Sequence, residues 1–191
     1  MHRRAFLLQG LCAGLIAAPA LGQTGTNDGA GENPLAARMV RVKGVPPGEI
    51  HVVPRDFALY WTLHDDDRGR AIRYRVAIGR DGLYEPGSFV IGAKKEWPSW
   101  RPTDEMIERE PERYKKYEDG MPGGPDNPLG ARALYLFTAN GGDSMLRIHG
   151  TTDTGSIGRR ASSGCVRMFN SHVIHLYERV PLGTRAILHP A

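Results

Sequence analysis

Residues 148–168, IHGTTDTGSIGRRASSGCVRM, place a histidine and a cysteine at the two ends of a run rich in Gly, Ser and Thr. His149 closes MLRIHG, which reads as a strand, and Cys165 follows the turn-forming SSG. Sixteen positions separate the two side chains. A Gly-rich loop of that length lets the chain fold back and bring them together, although the spacing does not require it.

On either side of this stretch the pattern is that of strands. ARALYLF and MLRIHG flank a TANGGDS turn, and GTRAIL supplies a closing strand. Further upstream, EIHVVPRDFALYWTL and the alternating AIRYRVAIG form an antiparallel hairpin across HDDDRGR, with GSFVIGAKKEW as another strand. Two stretches break the pattern. PSWRPTDEMIEREPERYKKYEDG is made of charged helix formers, with Thr103 or Asp104 as its cap and Pro111 dividing it. Near the C-terminus, Asn170 or Ser171 caps a helix whose Val173, Leu176, Tyr177 and Val180 form a core-facing stripe. Many strands, short helical insertions and one helix near the C-terminus, without regular β-α alternation, predict a mostly β sandwich or barrel.

The chain begins MHRRAFLLQGLCAGLIAAPALGQ, with Arg3 and Arg4 ahead of an apolar run that ends in small residues. Residues 1–22 therefore read as an export signal of the twin-arginine type. QTGTNDGAGENP opens a flexible linker over residues 23–45, and the domain is expected over residues 46–191. Removing residues 1–22 takes away two arginines and no acids, so the formal charge falls from +4 to +2. With no long Lys/Arg cluster beyond the Arg159–Arg160 pair, neither a nucleic-acid partner nor a stable membrane anchor is expected. The expected location is the periplasm.

Cleavage also removes Cys12 and leaves Cys165 as the one cysteine, which rules out an internal disulfide. An inert buried thiol, an intermolecular bridge and a nucleophile remain open on composition. A thiol attacks as its thiolate and, with an ordinary pKa of about 8.5, needs a base or positive charge beside it. The backbone of SSG offers N–H groups to an oxyanion. His172 and His175, one helical turn apart, fall opposite the apolar stripe and read as solvated, so no metal is expected.

IHGT, SIG and SSGCVRM, together with NPLGARALYL, resemble the YkuD-type L,D-transpeptidases, the ErfK/YbiS group, over roughly residues 51–188. The resemblance implies a YkuD-like fold and an acyl transfer on peptidoglycan stem tetrapeptides of the meso-diaminopimelate type, with no cofactor. It implies Cys165 as nucleophile and His149 as its base, oriented through the Gly150 carbonyl. Ser163 and Gly164 precede the nucleophile, and Arg167 binds a substrate carboxylate or orders the backbone. A D-alanine would leave, and the acceptor would be a second stem peptide, an envelope protein or water. The commonest motif of the family reads Ser/Thr-His-Gly-Cys, so Ser163 stands where a histidine is usual. The alternatives are an NlpC/P60-like cysteine endopeptidase, in which the nucleophile precedes its histidine, and a non-catalytic peptidoglycan-binding module. Thr103 to Asp119 is expected either as a lid or as ordinary structure.

Overall fold

Alternating apolar and polar residues produce ten strands in the computed structural model, which describes residues 36–64 and 69–191. They are β1 (Arg38–Arg41), β2 (Ile50–Val53), β3 (Ala58–Thr62), β4 (Arg70–Gly79) and β5 (Gly87–Glu96), followed by β6 (Arg132–Phe137), β7 (Asp143–His149), β8 (Arg160–Ser162), β9 (Val166–Met168) and β10 (Arg185–Leu188). The helices are α1 (Asp104–Arg109), α2 (Pro111–Tyr114) and α3 (Asn170–Arg179). The expected export signal and the first part of the linker lie outside the described residues, as does the middle of the HDDDRGR turn.

Strand pairing runs β4-β3-β2-β10-β5-β6-β7-β9, and β9 pairs back onto β4 through Val76↔Met168 and Ala77↔Arg167. The sheet is therefore closed, as the expected barrel requires. Strand β4, ten residues long, also carries β1 and β8. Its inward residues Tyr74, Val76 and Ile78 meet Ile50, Leu59, Ile91, Leu134, Ile148, Val166 and Met168, all fully buried. Helix α3 lays Val173 and Leu176 on the same core. Each such side chain contributes about 1.5–3 kcal/mol on leaving water.

Two expectations for the insertion are met. The Thr103 side chain accepts from the Met106 N–H at 3.3 Å to cap α1, and Pro111 separates α1 from α2. Elsewhere the folded chain corrects the sequence reading. EIHVVPRDFALYWTL is two strands, because Pro54 starts a tight turn that ends on Phe57 at φ 44°. The span 23–45 is not linker throughout, since β1 pairs antiparallel with β4. Its RMVR sequence leaves Met39 and Arg41 exposed, and the flanking arginines suit an edge strand. Neither Asn170 nor Ser171 caps α3; Phe169 occupies that position without a side-chain cap. His172 and His175 are not solvated but half-buried over Tyr74, whose hydroxyl lies 2.7 Å from His175 Nδ1. Burial holds both imidazoles below their ordinary pKa.

Candidate active site

Strands β7 and β9 run parallel in the register Ile148↔Val166 and His149↔Arg167. Ile148 and Val166 are fully buried in the core, so strand alternation sends Arg147, His149, Cys165 and Arg167 to the opposite face. Cys165 immediately precedes β9 and therefore stands opposite Arg147, diagonal to His149. The loop of residues 150–164 returns the chain to the neighbouring strand, and the two ends of the quoted stretch come together.

His149 is 4% exposed, and its Nδ1 lies 2.5 Å from the Gly150 carbonyl oxygen. A carbonyl only accepts, so Nδ1 carries the proton and Nε2 keeps its lone pair. Burial, aided by the Arg167 charge, lowers the imidazole pKa to about 4, against the opposing pull of the Gly150 and Leu129 carbonyls. The ring is neutral at pH 7. Its support is held by Asn170, whose Oδ1 accepts the Ala131 N–H at 2.9 Å. A Cβ at Gly150 would come within 2.1 Å of that oxygen, so only glycine fits there. This use of Asn170 explains why it does not cap α3.

The Cys165 sulfur is 3.9 Å from the Met145 carbonyl oxygen. Burial pushes the thiol pKa up, while the Arg147 N–H and the charges of Arg147 and Arg167 pull against it. The thiol and the imidazole on this face are thus both neutral at rest. The carbonyl that meets the sulfur belongs to a residue at φ 62°, in the left-handed region. Asp143 holds this kink by accepting from the Met145 N–H at 2.8 Å and from Arg147 through two bonds of 2.6 and 2.8 Å. Arg147 in turn lies over the Tyr135 ring at 4.0 Å. The sequence reading missed Asp143, Met145, Arg147 and Tyr135. A signal was present: DSMLRIH puts Asp143, Met145 and Arg147 on the His149 side at every second position.

The SSGC turn is fixed by Ser162, which donates to the Cys165 carbonyl at 2.5 Å and accepts from the Gly164 N–H at 3.2 Å. Gly164 adopts φ 129°, and a Cβ there would press on the Leu83 carbonyl at 3.1 Å. Its N–H is committed to Ser162, which leaves the Ser163 and Cys165 amides as the oxyanion candidates of this turn. Ser163 Oγ accepts from Arg109 Nη2 at 3.3 Å. Arg167 Nη1 donates to Asp153 Oδ2 at 3.3 Å and so ties β9 to the loop. Among the described residues, no three or more His, Cys, Asp or Glu side chains are grouped to hold a metal ion.

Residues 47–188 match the L,D-transpeptidase catalytic domain family, YkuD. The chain is 40% identical over 128 residues to a Fuscovulum blasticum protein named as an L,D-transpeptidase in the ATP synthase subunits region. That match covers 66% of this chain and 60% of the relative. Among solved structures, one from Brucella melitensis is 46% identical, with a TM-score of 0.55 over 80% of this chain and 92% of its own. It bears the name of a probable carnitine operon oxidoreductase, which differs from the family match. The Enterococcus faecium L,D-transpeptidase shares the fold at 14% identity and a TM-score of 0.55, over 76% of this chain and 50% of its own.

Proposed function

Because the chain belongs to the L,D-transpeptidase catalytic domain family, we propose that it is a cysteine acyltransferase acting on peptidoglycan stem tetrapeptides in the periplasm. The observation that carries this reading is the parallel β7–β9 register, which sets a neutral, carbonyl-oriented His149 beside Cys165 on one face. Cys165 attacks the carbonyl between the L-centre of diaminopimelate and the terminal D-alanine, and its proton passes to His149 Nε2. The tetrahedral oxyanion meets the Ser163 and Cys165 N–H groups, aided by the positive charge of Arg147. His149 then returns the proton to the departing D-alanine nitrogen, and a thioester remains. An amine attacks the thioester and gives its proton to His149, and the thiol is restored. A stem-peptide amine yields a crosslink between two third-position residues, an envelope protein becomes anchored to the wall, and water gives carboxypeptidase activity.

Export fits the leader at residues 1–22, and no helix among the described residues is long and apolar enough to cross a membrane. The depressed pKa of His149 supports the base role, since an imidazole charged at neutral pH would have no lone pair to offer. The test is intact-mass analysis of the chain without residues 1–22, incubated with a diaminopimelate-containing tetrapeptide beside Cys165→Ala. A Cys165-dependent adduct with D-alanine release is expected. Bound peptide with neither adduct nor release would point instead to a binding module.

A further inference from the structure

The insertion between β5 and β6 ends its first helix beside the SSGC turn, and charge is unevenly distributed there. Glu110, at the α1–α2 junction, pairs with Arg80, lies 3.7 Å from Arg109 Nε and lies 3.4 Å from Arg113 Nη1. Its hydrogen bond from Arg80 holds the carboxyl below its ordinary range. One carboxylate is thus shared by three guanidiniums, which leaves a surplus of two positive charges. This locus is fastened to the turn from two sides: the Arg80 N–H donates to the Ser162 carbonyl at 3.0 Å, and Arg109 Nη2 donates to Ser163 Oγ at 3.3 Å. Ser163 lies two residues before Cys165.

Arg109 differs from the other cations near the thiol. Arg147 is bound twice by Asp143, and Arg167 faces Asp153. The contacts of Arg109, to a hydroxyl and to a carboxylate already claimed by two other guanidiniums, use a small part of its five donors. Its side chain remains 35% exposed. A guanidinium of this kind suits a planar two-oxygen anion.

We propose that Arg109 is a specificity-determining residue that binds a carboxylate of the acyl donor, an inference that rests on the acyl-transfer reading of Cys165. The donor brings carboxylates on the leaving D-alanine, about three bonds from the carbonyl under attack, and on the diaminopimelate side chain, about six bonds away. Ser163, in the position where the family usually has histidine, supplies the small hydroxyl on which Arg109 rests. A larger side chain at position 163 would displace the guanidinium, so the two residues act as a unit.

The experiment compares Arg109→Ala and Arg109→Lys with the parent on three synthetic tetrapeptides: the free acid, the terminal D-alaninamide, and the peptide amidated at the diaminopimelate side chain. For the free acid, Arg109→Ala is expected to raise KM about tenfold or more, with a smaller change in kcat. Arg109→Lys should recover part of the loss. The amidated donor on which Arg109→Ala behaves like the parent identifies the carboxylate. The rate of Cys165 alkylation by iodoacetamide should stay unchanged, which a merely structural tie between insertion and turn would not give. Equal losses on all three donors, or none on any, overturn the assignment of Arg109 alone. Failure of the parent to turn over any donor overturns both this assignment and the acyl-transfer reading beneath it.

Discussion

Two parallel strand pairs, β7–β9 and β2–β10, each hold a histidine, and they use it in opposite ways. In the first, His149 commits Nδ1 to a backbone carbonyl and pairs with a neighbouring strand that the Cys165 thiol immediately precedes. In the second, His51 has Nδ1 3.0 Å from His189 Nε2 and Nε2 3.2 Å from Glu49, which is bound in turn by Arg185 at 2.7 Å. His51 thereby links the end of the last strand to β2 through its Nδ1, while its Nε2 faces Glu49 without making a hydrogen bond. A groove of about 360 Å³ opens at this second pair, lined in part by Glu49, His64, Thr184 and Arg185. The groove and the thiol therefore lie at different strand pairs, and the difference is in what each histidine faces.

The sharpest way to break this comparison is to remove each imidazole in turn. His149→Ala should slow acylation of Cys165 by about 100-fold to 10,000-fold while the chain still folds. His51→Ala should leave the acylation rate within about threefold. It should cost about 1–3 kcal/mol of stability by stripping a partner from the buried Glu49. Acylation kinetics and urea unfolding on both variants decide the matter. A large kinetic loss in His51→Ala would remove the distinction between the two ends.

A smaller effect tests the support beneath the first pair. Gly150→Ala forces a Cβ to within 2.1 Å of Asn170 Oδ1 and should destabilise the fold by about 1–3 kcal/mol. Asn170→Ala leaves room but strands the Ala131 N–H, for about 1–2 kcal/mol. In the double variant the 2.1 Å clash is absent and only the tight approaches to Ala131 N and Val173 Cγ1 at 3.1 and 3.2 Å remain, so its loss should fall short of the sum of the two singles. Additive losses would mean that Asn170 does not set the position of the residue following His149.

The two pairs also differ in how far their sequences betrayed them. IHGT and SSGCVRM carried their signal through resemblance to a family, since a strand-end histidine, a Gly-rich return and a lone cysteine leave an inert thiol equally open on spacing alone. The strand patterns of AIRYRVAIG and ARALYLF likewise foretold a mostly β sandwich or barrel. What stayed hidden depends on partners far along the chain. Asn170 has the chemistry of a cap, but it is taken up by Ala131, thirty-nine residues away. His172 and His175 sit on a face that helical periodicity calls polar, yet Tyr74 of β4 covers it. The Met145 kink arises because Asp143 bonds its own strand, and β1 became a strand because β4 is long enough to receive it. Local pattern encodes a side chain's periodicity, whereas tertiary pairing decides which of several permitted bonds it makes.

Acid should separate the histidines by smaller energies still. Burial lowers the folded pKa of His51, His149, His172 and His175 below the ordinary 6.5, and for His149 to about 4. Between those values the unfolded chain binds more protons than the folded one, so stability is complete above about pH 6.5 and declines as pH falls towards 4. From pH 6.5 to 5 the His149 share is about 2 kcal/mol, at roughly 1.4 kcal/mol per unit. The His51 share has the same sign, but Glu49 holds it back by favouring the charged ring, even as His189 adds to the depression. Urea unfolding at pH 7 and pH 5 should therefore show a pH dependence that His149→Gln reduces more than His51→Gln does. The same difference should appear in the chemistry, because the acid limb of Cys165 acylation requires His149 to be neutral and so lies near pH 4 in the parent. An acid limb near 6.5 would mean that the working imidazole is solvated, and that the β7–β9 pair does not keep its histidine dry and uncharged for the thiol beside it.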